Sequence, residues 1–211
     1  MTQKEYAERF EKLYNLFTET YLNFYTWKGL QDKAFEKTFA ENSHFWTAVL
    51  FALQNSWLTG LAKIFENSTF SKKAQVISVY ALLPHQTDTT RAAKVQNTLT
   101  LNAGVIKGIQ QLRNNQLAHN NTRHLLKPKL ILSKFPIKYA EVEQLLLLSG
   151  EILSDLNPKK GHGYAYKMLA DDSENDGKQI VKKLQYYSKL HREHLDKFRR
   201  REIHDHRFPP L

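Results

Sequence analysis

The spacing of large apolar residues near the N-terminus is the feature that most constrains the fold. These residues recur every three or four positions, at Tyr6, Phe10, Leu13, Phe17, Tyr21 and Phe24. Residues at this spacing lie on one face of an α-helix. We therefore predict a helix that ends near 27–29. Its aromatic face has to be covered by other elements, as happens in a helical bundle.

The helical period continues through the rest of the chain. It predicts helices over 41–65, 71–83, 138–156 and 177–203, and another from 89 to 119 or 120. The segment 127–136 is predicted to be a connector. The chain has only 8 Gly and 6 Pro in 211 residues, which argues against an all-β protein full of tight turns. We expect an all-α bundle of about five long helices with an extra C-terminal basic helix. The predicted organisation is a bundle domain (1–157), a polar loop (158–176), and a basic helix and tail (177–211) on the same domain.

The chain contains no cysteine. This excludes a disulfide framework, a thiolate zinc site and cysteine catalysis, and it fits a reducing compartment. The longest run of strong hydrophobes, Leu145–Leu148, is far too short to cross a bilayer. The first twenty residues are charged and contain no apolar signal segment. We expect a soluble cytoplasmic protein with no membrane partner.

The formal net charge is +10, and a basic surface of this size attracts polyanions. RNA is the favoured partner, and an anionic membrane surface or a merely solubilising charge are the alternatives. The segment 178–207 is especially basic. It can hold a nucleic-acid backbone, or it can be a solvated helix end. The apolar side of the last helix is predicted at Ile180, Val181, Leu184, Tyr187 and Leu190.

Arg113 lies on the apolar stripe of the third long helix, four positions beyond Ile109 and seven beyond Ile106. An arginine on a buried seam is costly unless it has a partner. One interpretation is structural, with Arg113 paired to a carboxylate such as Glu141 or Glu143.

The second interpretation of Arg113 is a site for phosphodiester chemistry. A guanidinium can hold a phosphate through paired N–H donors, and His119, six residues further on, can move protons near neutral pH. His119 has a structural interpretation too, because the dipole favours a histidine at a helix end.

The motif Arg113-Asn114-x-x-x-x-His119, with Ala118 before the histidine, resembles the hallmark of the HEPN superfamily of helical-bundle proteins. Its context resembles the abortive-infection branch. This resemblance implies a metal-independent endoribonuclease that acts as a dimer without a cofactor, with a toxin or phage-defence role and an antitoxin or regulatory protein as a further partner. The alternative is a non-catalytic HEPN-like dimer that binds RNA, a nucleotide or a partner protein.

The chemistry of these residues suits RNA, which carries its own nucleophile in the 2′-hydroxyl. Arg113 could brace the phosphoryl oxygens, and His119 could carry either proton transfer. Asn114 could orient His119 or hold the sugar. Arg123 and His124 follow closely, and they are either further contacts to RNA phosphate or ordinary loop residues.

Helix geometry separates the two main residues of the motif. On a continuous helix Arg113 and His119 lie about 120° apart around the axis and about 9 Å apart along it. One copy therefore presents the pair poorly to a single phosphate. Two copies around a two-fold axis could bring both motifs to one groove. We expect a homodimer with a composite site at its seam.

The spacing of four histidines near the C-terminus is the one indication of a metal site in the sequence. The patterns H-x-x-H and H-x-H can chelate a metal, but the chain offers no thiolate beside them. We predict no metal site. There is also no Gly-rich phosphate loop. The histidines are His191, His194, His204 and His206.

Overall fold

The computed structural model describes residues 1–41, 43–67, 76–114, 138–159 and 166–200, and all regular structure in these ranges is helical. The predicted all-α class is confirmed. Short 3-10 turns cover Lys33–Phe35 and Leu83–His85. The α-helices are α1 (Gln3–Leu30), α2 (Glu36–Glu41), α3 (Ser43–Ile64), α4 (Val79–Leu82), α5 (Thr89–Leu101), α6 (Ala103–Arg113), α7 (Tyr139–Leu156) and α8 (Tyr166–Arg199).

Helix α1 is the central element, and it packs against α3, α7 and α8. Its start is closed by a capping box: the Glu5 N–H donates to Thr2 Oγ1 (3.2 Å) and the Thr2 N–H donates to Glu5 Oε2 (2.7 Å). Reciprocal bonds of this kind satisfy donors that a helix start leaves unpaired. All six members of its predicted apolar stripe are buried. The N-terminal spacing therefore predicted both the helix and the face on which the bundle is built.

The C-terminal end of α7 is held by side chains from other parts of the chain. Tyr6 Oη donates to the Leu156 carbonyl (2.7 Å). Gln86 Nε2 donates to the carbonyl of residue 155 (2.7 Å), and Arg91 Nη2 donates to that of residue 154 (2.9 Å). The last carbonyls of a helix have no partner within it. Arg91 and Tyr6 also line a cavity of about 440 Å³ at this helix end. Their hydrogen bonds to the α7 carbonyls mean that both residues stabilise the end of the helix.

Helix α8 begins at Tyr166, eleven residues before the start predicted at Gly177. The prediction that 166–176 belongs to a polar loop is therefore wrong. The acidic residues and glycines of this segment indicated a loop. In the structure, small residues form a stripe that faces α1. Ser173, Gly177 and Val181 are buried at steps of four, the spacing of one helix face. The helix is stabilised by close tertiary packing, which an apolar periodicity does not detect.

The predicted helix over 89–120 is divided at Asn102, which ends α5 and precedes α6. The Asn102 side chain donates to the Thr98 carbonyl (2.8 Å), a local bond that competes with a continuous helix. Of the helix predicted over 71–83, residues 71–75 lie outside the described residues and 76–78 are not helical. Helix α4 begins after Ser78, whose Oγ caps it by accepting from the Ala81 N–H (3.2 Å). The predicted connector over 127–136 and the helix ends at 115–120 and 201–203 lie outside the described residues.

None of the helices in the described ranges is long and apolar enough to cross a membrane.

Candidate functional site

Arg113 is the last residue of α6, and its side chain is half-buried. Helix α6 packs against α3 and α7. Ile109 and Ile106, one and two turns earlier, are 1% and 4% exposed. The structure thus places Arg113 at the end of a buried apolar stripe. An arginine in this position is shielded from water on one side, which strengthens its interaction with an anion.

Asn114 orients the Arg113 guanidinium. Its side-chain oxygen accepts from Arg113 Nε (3.0 Å) and from Arg113 Nη2 (2.8 Å). A guanidinium has five N–H donors in a planar fork. The amide occupies two of them on one edge. The Nη1 group and the second Nη2 hydrogen remain on the other edge, which matches two oxygens of a phosphate.

A cavity of about 260 Å³ lies beside this guanidinium, between the end of α3 and the end of α6. Gln110 Nε2 donates to the Phe65 carbonyl (2.7 Å) and ties the two helix ends together. Pockets for whole ligands usually start at about 300 Å³. The cavity is therefore smaller than a usual pocket for a whole ligand. It is lined by Ala62, Glu66, Asn67, Gln110, Arg113 and Asn114.

The structural interpretation of Arg113 named two carboxylates, and both have other partners. Glu143 Oε1 lies 2.9 Å from Lys28 Nζ and accepts from Tyr25 Oη (3.1 Å). Glu141 Oε2 accepts the Lys138 N–H at the start of α7 (2.8 Å). Within the described ranges, neither forms an ion pair with Arg113. The half-buried charge of Arg113 is therefore not explained by these two partners.

Glu143 instead belongs to a network of charged side chains where α1, α7 and α8 pack together. Lys28 on α1 contacts Glu143 on α7 and Glu174 on α8, the latter at 3.4 Å. Partial burial works against the charge of Lys28, but its bonds to the two carboxylates raise its pKa. The hydrogen bond from Lys178 lowers the pKa of Glu174, with Lys28 adding to the effect. This network is a structural junction of three helices.

Two of the five predicted site residues are described, and the structure brings them into direct contact. These are Arg113 and Asn114. His119, Arg123 and His124 lie outside the described residues. Sequence reasoning missed Gln110 and Glu66 beside the cavity. The available signal for Gln110 was its place one turn before Arg113, on the same helix face.

In the parts of the chain that the structure describes, no three His, Asp or Glu side chains converge on a point that could hold a metal ion. His204 and His206 fall outside those parts. The prediction of a metal-free site stays a prediction.

Comparison with known proteins gives one clear similarity. The model of a HEPN-type family described as AbiU2 matches residues 3–180. No curated protein and no solved structure matches the chain. The matched range includes Arg113, Asn114, His119, Arg123 and His124. An abortive-infection family of this type suggests a role in phage defence or as a toxin. The chain belongs to the AbiU2 family of HEPN-type abortive-infection proteins.

Proposed function

We propose that this protein is a metal-independent endoribonuclease that cleaves RNA by attack of the 2′-hydroxyl. The observation that carries the proposal is the half-buried Arg113 guanidinium, which is oriented by Asn114 and lines a cavity of about 260 Å³. We assign this cavity to the phosphodiester that is cleaved. Membership of an abortive-infection HEPN family supports the same activity. RNA also agrees with the net charge of +10.

In the proposed reaction the 2′-oxygen attacks phosphorus and the 5′-oxygen leaves. A base removes the 2′-hydroxyl proton, and an acid protonates the leaving 5′-oxygen. The products are a 2′,3′-cyclic phosphate and a 5′-hydroxyl. Arg113 stabilises the negative charge that develops on the phosphoryl oxygens. His119 carries a proton transfer, and in a dimer two copies of His119 are available for the two transfers.

Asn114 acts in this proposal as a positioning residue. Its amide oxygen accepts two hydrogen bonds from Arg113, so it restricts the guanidinium to one orientation. A charged side chain that is already oriented needs little reorganisation when the reaction occurs. This differs from the roles expected from sequence, in which Asn114 orients His119 or holds the sugar.

The proposed site is composite and lies at the seam of a homodimer. Arg113 ends a helix whose apolar stripe is buried up to Ile109, so a second copy meeting the chain here would shield Arg113 further. Arg123 and His124, a few residues beyond His119, are proposed to contact RNA phosphates on either side of the cleaved bond. We also propose that the protein acts in the cytoplasm, with an antitoxin or regulatory protein controlling it.

The test is cleavage of a labelled single-stranded RNA by the purified protein in excess EDTA. We expect cyclic-phosphate products from the wild type and a loss of about 100-fold or more in Arg113→Ala and in His119→Ala. Lys107→Ala is the matched control, because Lys107 is an exposed cation on the same helix. It should retain activity.

Three outcomes would contradict the proposal. Cleavage that EDTA abolishes would indicate a metal enzyme. Cleavage that survives both the Arg113 and the His119 substitutions would place the chemistry elsewhere. Tight RNA binding without cleavage in any sample would support the non-catalytic alternative. The dimer is tested separately by analytical ultracentrifugation, and a monomer with full activity would rule out the composite site.

A further inference from the structure

The C-terminal part of α8 carries apolar side chains that are exposed within the described part of the chain. From 182 to 200 no side chain is buried. Ile180, Leu184, Tyr187 and Phe198 are 56%, 43%, 40% and 37% exposed. An isolated helix gains little stability from its own sequence, since most helical stability in proteins comes from the packing of an apolar face. This stretch of about 28 Å therefore presents a face that suits a partner.

The spacing of these side chains shows what kind of partner fits. Ile180, Leu184 and Tyr187 are separated by steps of four and three, and Phe198 lies eleven residues further on in the same register, with His191 and His194 at the positions between. Alternating steps of four and three are the repeat of a coiled-coil seam. Such a seam is narrow, whereas a helix that packs on a broad core has a wider apolar stripe. The face therefore matches another helix, and we call it the α8 seam. Its members are Ile180, Leu184, Tyr187, His191, His194 and Phe198.

The described elements that pack on α8 hold it from a side different from the seam. Val181 is fully buried in a cluster with Leu30, Phe35 and Trp46. Gln185 Nε2 donates to Thr38 Oγ1 (2.8 Å). Val181 and Gln185 each follow a seam residue by one position, which is a rotation of about 100°. The α8 seam thus lies roughly at a right angle to the face that anchors the helix.

The charge beside the seam identifies the chemistry of the partner. Lys183 and Lys197 each immediately precede a seam residue and flank one side of it. In the described part of α8 beyond residue 177 there are two acidic residues, Glu193 and Asp196. Glu193 lies 3.9 Å from Lys189, and Asp196 lies 3.7 Å from Arg199. Residues that flank a coiled-coil seam select partners by charge, and here the flank selects negative charge.

A second copy of this chain does not supply the negative charge that this flank selects. Two antiparallel α8 seams related by a two-fold axis would bring Lys183 of one copy beside Lys197 of the other. Like charges at these positions oppose pairing. A helix with acidic flanks replaces this repulsion with attraction, and its apolar residues cover the seam.

We propose that the α8 seam is a docking surface for an acidic amphipathic helix of a partner protein. This surface is separate from the proposed RNA site at the end of α6, and it does not depend on RNA cleavage. Binding would bury Ile180, Leu184, Tyr187 and Phe198, while acidic side chains of the partner pair with Lys183 and Lys197.

The experiment uses the full chain and a fluorescent synthetic peptide of about four heptads, with Leu at both seam positions and Glu at the flanking positions. A matched peptide has Lys in place of Glu. Fluorescence anisotropy should show that the acidic peptide binds at least about tenfold more tightly than the basic one. Leu184→Glu should weaken binding of the acidic peptide by about tenfold or more. Circular dichroism should show an unchanged fold, because Leu184 is exposed.

The charge requirement has its own test. The double variant Lys183→Glu with Lys197→Glu should reverse the preference, so that the basic peptide binds more tightly. Lys182→Glu is the control, because it makes the same type of charge change about 160° away from Leu184 around the helix. It should keep the original preference.

Four results would overturn the proposal. The first is no binding of the acidic peptide, and the second is an equal effect of the Lys182 and Lys183/Lys197 substitutions. The third is a dimer that Leu184→Glu converts to monomer, which would assign the seam to a second copy. The fourth is a Leu184-dependent association with phosphatidylglycerol vesicles or with an RNA oligonucleotide in place of the peptide.

Discussion

Replacing Gly29 by alanine tests the crossing of α1 and α8, which the sequence did not predict. An added Cβ at Gly29 would lie 3.1 Å from the Cα and from the carbonyl carbon of Glu174, and closer still to its carbonyl oxygen. These are backbone atoms of α8, so no side-chain rotation relieves the clash. The two helices would have to move apart.

The size of the effect follows from two opposing contributions. Alanine is about 1 kcal/mol better than glycine in a helix interior. Inserting atoms into a well-packed contact typically costs about 1–3 kcal/mol, and more when backbone must shift. A clash with backbone falls at the upper end, so we expect Gly29→Ala to be destabilised by about 1–3 kcal/mol net. For a chain of this length that lowers Tm by about 2–12 °C.

Two other glycines supply matched controls for thermal and urea denaturation. An added Cβ at Gly104 meets nothing within 4 Å, so Gly104→Ala should be stabilised by up to about 1 kcal/mol. At Gly177 the Cβ would lie 3.2 Å from the Thr26 carbonyl oxygen. There the gain and the cost should nearly cancel. If Gly29→Ala proves as stable as Gly104→Ala, the close approach of α1 and α8 is refuted.

Three further predictions concern a helix end, the three-helix junction and the proposed site. Tyr6→Phe should lose about 1–2 kcal/mol in urea unfolding, because the buried Leu156 carbonyl loses its donor; an unchanged midpoint would contradict this. The folded protein holds the pKa of Glu174 below its usual 4.5, so its stabilisation is present above that pH and is lost as the pH falls through the lowered value. Glu174→Gln should therefore reduce the loss of unfolding free energy between neutral and acid pH, by less than about 1 kcal/mol since the pair is partly exposed. If wild type and variant lose the same unfolding free energy over this pH range, the prediction is refuted. Arg113→Lys keeps the charge but loses the fork, so RNA cleavage should fall by about 10- to 100-fold, and wild-type rates would show that the fork is not used.

The candidate site was predictable in part. Helical phase alone assigned Arg113 to the end of an apolar stripe, and the structure describes it there, half-buried. The contact between Arg113 and Asn114 was not predictable, because neighbouring residues on a helix do not usually face each other. Nor were Glu66 and Gln110 beside the cavity. They come together because α3 and α6 end side by side, and that depends on packing between segments distant in sequence.

The last helix, α8, likewise shows which part of the fold could be predicted from the sequence and which could not. Its apolar residues were predicted at five positions, and one of them, Val181, is fully buried. The face that packs on α1 includes Val181, and its other buried members are the small residues Ser173 and Gly177. Small residues let two backbones approach closely, but they add almost nothing to an apolar periodicity.

The amino-acid sequence by itself determined the all-α class, the face of α1 that forms the core and the position of Arg113. Each of these depends on local periodicity, which reports directly which side of a helix avoids water. Only the tertiary structure decided where α8 begins, which side of it is anchored and what surrounds the Arg113 guanidinium. These features depend on contacts between distant segments, whose shape and distance are not encoded in any one local pattern.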